Sequence, residues 1–249
     1  MSQFYKFLIF IVGVLISISA TAQTKVGIIK DSDGFVNVRI GAGIGFPVLA
    51  KIDEDDLFYI VNQENSEWQQ IRIFKEKQIT GFIHKSRIQN FESLTDQKQA
   101  ELVIKTLRSQ RHLAEQFNKT VDSENQNIYL EAGNRLEGYS ESQYDAILSV
   151  LPTYFCRTKD QEALREFSLT AFANKNSANE NVSYALGECF ICNSLLVIKE
   201  VGALENSEIR IHIYNQIEWG LLNHFDSEDK EFLKFKSLLD KARVDSKGR

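Results

Sequence analysis

Three cysteines, Cys156, Cys189 and Cys192, have more chemistry to offer than any other side chains in this sequence. Cys189-Phe190-Ile191-Cys192 has the C-x-x-C spacing of a redox pair. Such a pair needs its first thiol exposed at a helix N-terminus, where the dipole favours the thiolate. Here both thiols lie inside an apolar helical stretch with no βαβ pattern before it. The first reading is therefore plain buried cysteines, and the second is a disulfide from Cys156 to Cys189 or Cys192. A redox site ranks third. No histidine stands at finger-like spacing, so no metal site is expected.

Other reactive side chains are scattered. His112, His212 and His224 stand singly, with no H-E-x-x-H and no G-x-S-x-G turn. His212 falls between two isoleucines on a helix, where a polar-face or partly buried role outweighs catalysis. Glu162/Glu166 and Glu228/Glu231 could serve as acid and base only across a shared cleft; otherwise they are solvated helix faces. The second pair also complements a helix N-terminus. Asp31-Ser32-Asp33-Gly34 lacks the glycine position and the bidentate Glu of a calcium loop, and reads as a turn. No catalytic residue, metal or cofactor is assigned.

The elements that must carry these residues follow from composition and period. The chain has 249 residues, 43% hydrophobic and 25% charged, with only 2 prolines, which is the profile of one or two cored domains. Net charge is −5, and acidic and basic side chains balance between Thr24 and Phe91, so the deficit falls after Phe91. A mildly acidic surface without a basic stripe argues against nucleic acid as a partner.

Residues 1–22 have the tripartite form of an export signal. Lys6 gives the basic start, Phe7 to Ile18 the apolar core, and Ala20-Thr21-Ala22 the small-x-small cleavage site. The apolar core falls short of the about 20 residues that cross a bilayer. The expected product is an exported chain, periplasmic or extracellular, cleaved near Ala22-Gln23 and not integral to a membrane.

From Val26 to Ile88 the hydrophobic period is two; from Leu94 to Arg243 it is near 3.6. The switch near Asn90–Ser93 predicts a small β-barrel over 24–91 and an all-α domain over 93–245. The predicted fold class is α+β. Within the first part Val36, Val38 and Ile40 would fill the barrel, with Phe35, Asn37 and Arg39 on the opposite face. Hydroxyl caps at Ser93, Ser140, Thr158 and Ser177, each three residues before an acid or amide, predict helix starts. Residues 182–202, apolar nearly all round, predict one central helix. Short connections predict an antiparallel bundle or a short α-solenoid.

The β part also carries a family pattern. Val36-Asn37-Val38-Arg39 with Gly41, then Val48-Leu49 ahead of Ile52, Trp68 before a strand, and Gly81-Phe82-Ile83-His84 at the close resemble the bacterial SH3 (SH3b) domain. Glu67, where the family often has Gly, and the acidic run at residues 53–56 depart from it. The resemblance covers about a quarter of the chain. It implies a small barrel that docks exported proteins onto peptidoglycan or another envelope component, or that serves as a structural companion to a second domain. Asn37, Arg39, Trp68 and His84 are the residues it nominates for a surface groove. Each has a plainer role available: Asn37 holding a turn, Trp68 in the core, His84 bonded to a neighbouring strand. For Trp68 the core reading leads; for Arg39 the two are even.

These observations predict a non-enzymatic exported binding protein, its helical domain presenting a surface to a protein partner. Two alternatives stand beside it: an immunity or inhibitor protein acting through the helical surface, and a cell-wall hydrolase. The last would need Glu or His side chains gathered in one pocket.

Overall fold

A computed structural model describes residues 25–61, 66–75, 77–122, 124–177 and 179–247. The stretch read as an export signal lies outside them. The fold is α+β: a seven-stranded antiparallel sheet followed by helices.

The strands are β1 (Lys25–Ile29), β2 (Phe35–Arg39), β3 (Val48–Asp53), β4 (Phe58–Ile60), β5 (Trp68–Phe74), β6 (Gln78–His84) and β7 (Ile88–Asn90). Their order across the sheet is β3-β2-β6-β5-β4-β1-β7. The pairings end at β3 and β7, and among the described residues none joins those two into a ring. One core, filled by Val36, Val38, Ile52, Phe58, Ile71 and Ile83, lies under the strands. Ile40 does not join it and is 49% exposed. β2 ends at Arg39, and a bulge between Val38 and Arg39 breaks the register with β3, so the alternation stops one residue early.

The helices are α1 (Asp96–Asn118), α2 (Gln126–Tyr139), α3 (Asp145–Thr158), α4 (Gln161–Ala173), α5 (Asn181–Cys192), α6 (Ser194–Gly202), α7 (Ser207–Leu221) and α8 (Lys230–Lys247). A π-helical segment, Ser140–Tyr144, joins α2 to α3 without a break. The helix starts therefore differ from those expected. Ser140 caps nothing, because the chain is already helical there. α1 is capped by Thr95, two residues beyond Ser93, and α4 by Asp160, two beyond Thr158. α5 begins after Glu180 with no side-chain cap, so Ser177 does not start it either. In each neighbourhood several Ser, Thr, Asp or Asn side chains compete, and spacing alone does not choose between them.

Residues 182–202 form two helices rather than one. Asn193 ends α5 and caps α6 through its side chain, which accepts from the Leu196 N–H, and the two helices meet at 117°. Among the described residues no single helix is long and apolar enough to cross a membrane. α5 packs on α3, α6 and α7, as expected of a central element. Its closest crossing is with α7, where Gly187 and Gly220 meet. A Cβ on Gly220 would fall inside the van der Waals envelope of the Ser183 carbonyl, so the crossing depends on glycine.

Sheet and helices share a second core. Val26, Ile28, Leu57 and Phe91 belong to the same buried cluster as Leu102, Ile147, Phe167 and Phe190. Gln143, in the π segment, clamps the junction: its Oε1 accepts from the Leu57 N–H at 2.8 Å, and its Nε2 donates to the Leu57 carbonyl at 3.2 Å. Asp55 of the preceding turn, at φ 70°, meets Lys98 at 2.8 Å and Lys105 at 3.2 Å, both on α1.

Candidate functional site on the sheet face

Alternation along β2, β5 and β6 decides which side chains face out. Val36 and Val38 point into the core, so Asn37 and Arg39 point away from it. On β6, Gly81 and Ile83 are buried and Phe82 and His84 face out; on β5, Ile71 and Ile73 are buried, leaving Trp68 and Gln70 with the outer set. The register lines them up. Arg39 stands opposite Phe82, Phe82 opposite Gln70, and His84 opposite Trp68. The four nominated residues thus lie on one face of three neighbouring strands. The row Arg39–Phe82–Gln70 is two residues, or about 7 Å, from the Trp68–His84 pair.

Trp68 is not a core residue. It is half-buried and belongs to neither buried cluster, and neither does Phe82. Inward positions on these strands are taken by Ile71, Ile73, Gly81 and Ile83, which puts both large aromatics on the outside. Trp68 meets the His84 ring edge-on, centroids 5.4 Å apart at 80°. His84 Nδ1 is 2.8 Å from the Ser86 hydroxyl, a contact within its own turn that fixes the ring. Asn37 is exposed, and its side chain makes no hydrogen bond among the described residues, so it holds no turn. Arg39 does hold one. Its Nη1 donates to the Phe46 carbonyl at 2.7 Å, securing the loop between β2 and β3.

The apolar side chains of that loop were not among the residues nominated from the sequence. Gly34, before β2, is the only glycine with positive φ among the described residues, so Gly41, Gly43 and Gly45 do not serve through left-handed torsions. Gly41 serves by lacking a side chain: a Cβ there would fall 2.7 Å from the Phe46 ring, which lies across it. Folded this way the loop holds Ile44 82%, Phe46 47% and Val48 49% exposed, an apolar tip beside the Arg39 row. The signal was in the sequence: Ile and Phe inside a glycine-rich turn, where polar residues are usual.

The face combines a guanidinium, two amides, an imidazole, three aromatic rings and the apolar side chains of Ile44 and Val48. Such a set can bind carboxylates and stack on flat or sugar-like surfaces, but it holds no nucleophile.

Chemistry elsewhere is mostly spent on structure. Cys156 and Cys192 are brought together at the ends of α3 and α5, their Cα atoms 5.7 Å apart, within the reach of a disulfide. Cys189 is free and buried, and burial pushes its thiol well above the ordinary range, with Glu188 adding to the effect. That is the opposite of a redox nucleophile. Glu166, nearly buried, receives Arg108 at 3.3 Å and Arg111 at 2.6 Å, while Glu162 meets Arg108 at 2.8 Å, so this carboxylate pair is engaged. His212 lies edge-on to Phe172, and burial followed by Lys175 lowers its pKa. His112 is 2.8 Å from the Gln116 amide, and His224 stacks on Tyr184. Among the described residues no group of His, Cys, Asp or Glu could hold a metal.

Compared with known proteins, the chain matches no protein-family model and is similar to no curated protein.

Proposed function

We propose that the chain is an exported binding protein that docks through the outer face of its sheet to cell-envelope material, with peptidoglycan as the ligand. The observation that carries this reading is the convergence of Asn37, Arg39, Trp68 and His84 on one face beside an exposed apolar tip. The resemblance of the β part to SH3b domains led to those residues; the register and the half-exposure of Trp68 support them as contact residues. The helical part contributes a protein-binding surface. Trp219 (64% exposed) and Leu222 (51%) lie one turn apart at the end of α7, and Tyr184 is exposed on the neighbouring α5. Exposed aromatics of this kind are typical interface anchors. The same patch favours a second reading, in which an immunity or inhibitor protein acts through its helices.

The test is co-sedimentation of residues 23–249 with purified peptidoglycan at low and moderate salt. The parent chain and a Lys234→Glu control should pellet. Trp68→Ala and Asn37→Ala should both weaken retention, the tryptophan change by about tenfold, as expected of an anchor worth more than about 1 kcal/mol. If the parent chain stays in the supernatant, or Trp68→Ala pellets as well as it does, peptidoglycan docking by this face is wrong. The Trp219 surface then becomes the first to test against protein partners.

A further inference from the structure

A large cleft lies apart from the four nominated residues of the sheet face. It is lined by residues of β3, β5 and β6 on one side and of α2 on the other, with a volume of about 1140 Å³. Its floor is apolar, formed by Phe74, Ile79, Leu113 and the ring of Tyr139. Ser142 and Gln143 of the π segment also line it. Gln143 is committed to the Leu57 backbone and Ser142 to the Gly138 carbonyl, so this wall is fixed. Single π turns inside α-helices are frequent at ligand sites.

The charges around the opening are unbalanced. Lys51, Lys75, Lys77 and Arg135 face two carboxylates, Asp56 and Glu131. Asp56 is taken by Lys75. Lys51 lies over the Phe35 ring at 3.4 Å, and among the described residues no carboxylate pairs with Lys51, Lys77 or Arg135. Glu131, one turn before Arg135, forms no ion pair with it. In a chain of net charge −5, three cations with no acidic partner among the described residues thus gather at one apolar cleft. Like-charged side chains at one opening repel one another, and an anion relieves that repulsion.

We propose that this cleft binds a small amphiphilic anion: an apolar body seated on Phe74, Ile79 and Leu113, with one carboxylate or phosphate held by Lys51, Lys77 and Arg135. Size and composition fit. The cleft has the volume of a small-molecule site, and such sites pair apolar walls with a few placed polar groups. Extension of the sheet by a peptide strand is disfavoured at the same place. β3 carries a bulge beside Leu49 and the exposed Lys51, both of which blunt an edge. The proposal is independent of docking by the sheet face, since the two share no residue.

Calorimetric titration of the full chain with decanoate, decyl phosphate and decyltrimethylammonium tests it. One or both anions should bind with one-to-one stoichiometry, and the cation should not; the tighter anion names the headgroup. Lys77→Glu with Arg135→Glu, both exposed positions, should weaken anion binding at least about tenfold. Lys234→Glu, a single charge reversal of the same kind on α8, should leave it unchanged. The proposal is overturned if neither anion binds, if the cationic amphiphile binds equally well, or if the double variant keeps the parent affinity.

Discussion

Tyr144, at the end of the π segment, carries its hydroxyl into a place where nothing receives it. The side chain is 1% exposed, the oxygen has no partner among the described residues, and burial drives its pKa far above the ordinary range. An unmet buried hydroxyl costs more than the ring gains from keeping it. Tyr144→Phe should therefore stabilise the chain by about 1 kcal/mol, raising the melting temperature by about 2–4 °C. A lower melting temperature would mean that the hydroxyl has a partner after all. Legibility at this scale depended on what decides a residue's place. Asn37 and Arg39 face out as strand alternation requires. Trp68 was expected in the core because large aromatics usually are, but its register beside inward Ile71 and Ile73 decided otherwise. Alternation along β5 outweighs the general tendency of a large aromatic to be buried.

At the scale of elements, the strands β5 and β6 and most of the helical stripes follow from their periods, whereas junctions do not. Ser140 looked like a cap because S-x-x-Q is a capping pattern, but α2 runs on through it as a π turn, and no local pattern distinguishes the two. The junction of α7 with α8 is held by charge. Glu218 meets Lys236 and, at 2.5 Å, Arg243. Burial would raise the Glu218 pKa, but these cations outweigh it and hold the carboxyl below its usual 4.5. A carboxyl depressed in the folded state contributes stability above its unfolded pKa and loses it as pH falls through the folded value. Glu218→Gln should thus cost about 1 kcal/mol at neutral pH, and the gap from the parent chain should close as pH falls below 4.5 and through the lowered folded-state value. Denaturant titrations at neutral and acid pH measure it; a gap that stays constant with pH would show that charge is not what holds α8.

For the whole molecule, the change of period at residues 90–93 reads as a boundary between two independent domains, and the two-part architecture is there. What the sequence hides is their shared core. Val26, Ile28, Leu57 and Phe91 come from the sheet part yet pack in the helical cluster, and the Gln143–Leu57 clamp spans 86 residues of chain. Contacts of that separation leave no local pattern. Removing the helices would expose those four apolar side chains and leave both Leu57 backbone groups without Gln143, so sheet and helices should unfold together. The chain has 2 tryptophans, and they report separately: Trp68 lies in the sheet and Trp219 on α7. In Trp219→Phe and Trp68→Phe chains, fluorescence should follow one denaturant transition with the same midpoint. Gln143→Ala, which leaves a buried N–H and C=O unmet, should lower that midpoint through a loss of about 2 kcal/mol, and both reporters should move together. Should the midpoints separate in the parent pair, the sheet is a self-sufficient module, and peptidoglycan docking could then be assigned to residues 24–91 alone. Should they coincide, the helices are part of what presents the proposed docking face, and on that proposal a helical variant that weakens the junction would weaken retention on peptidoglycan without touching a nominated contact residue.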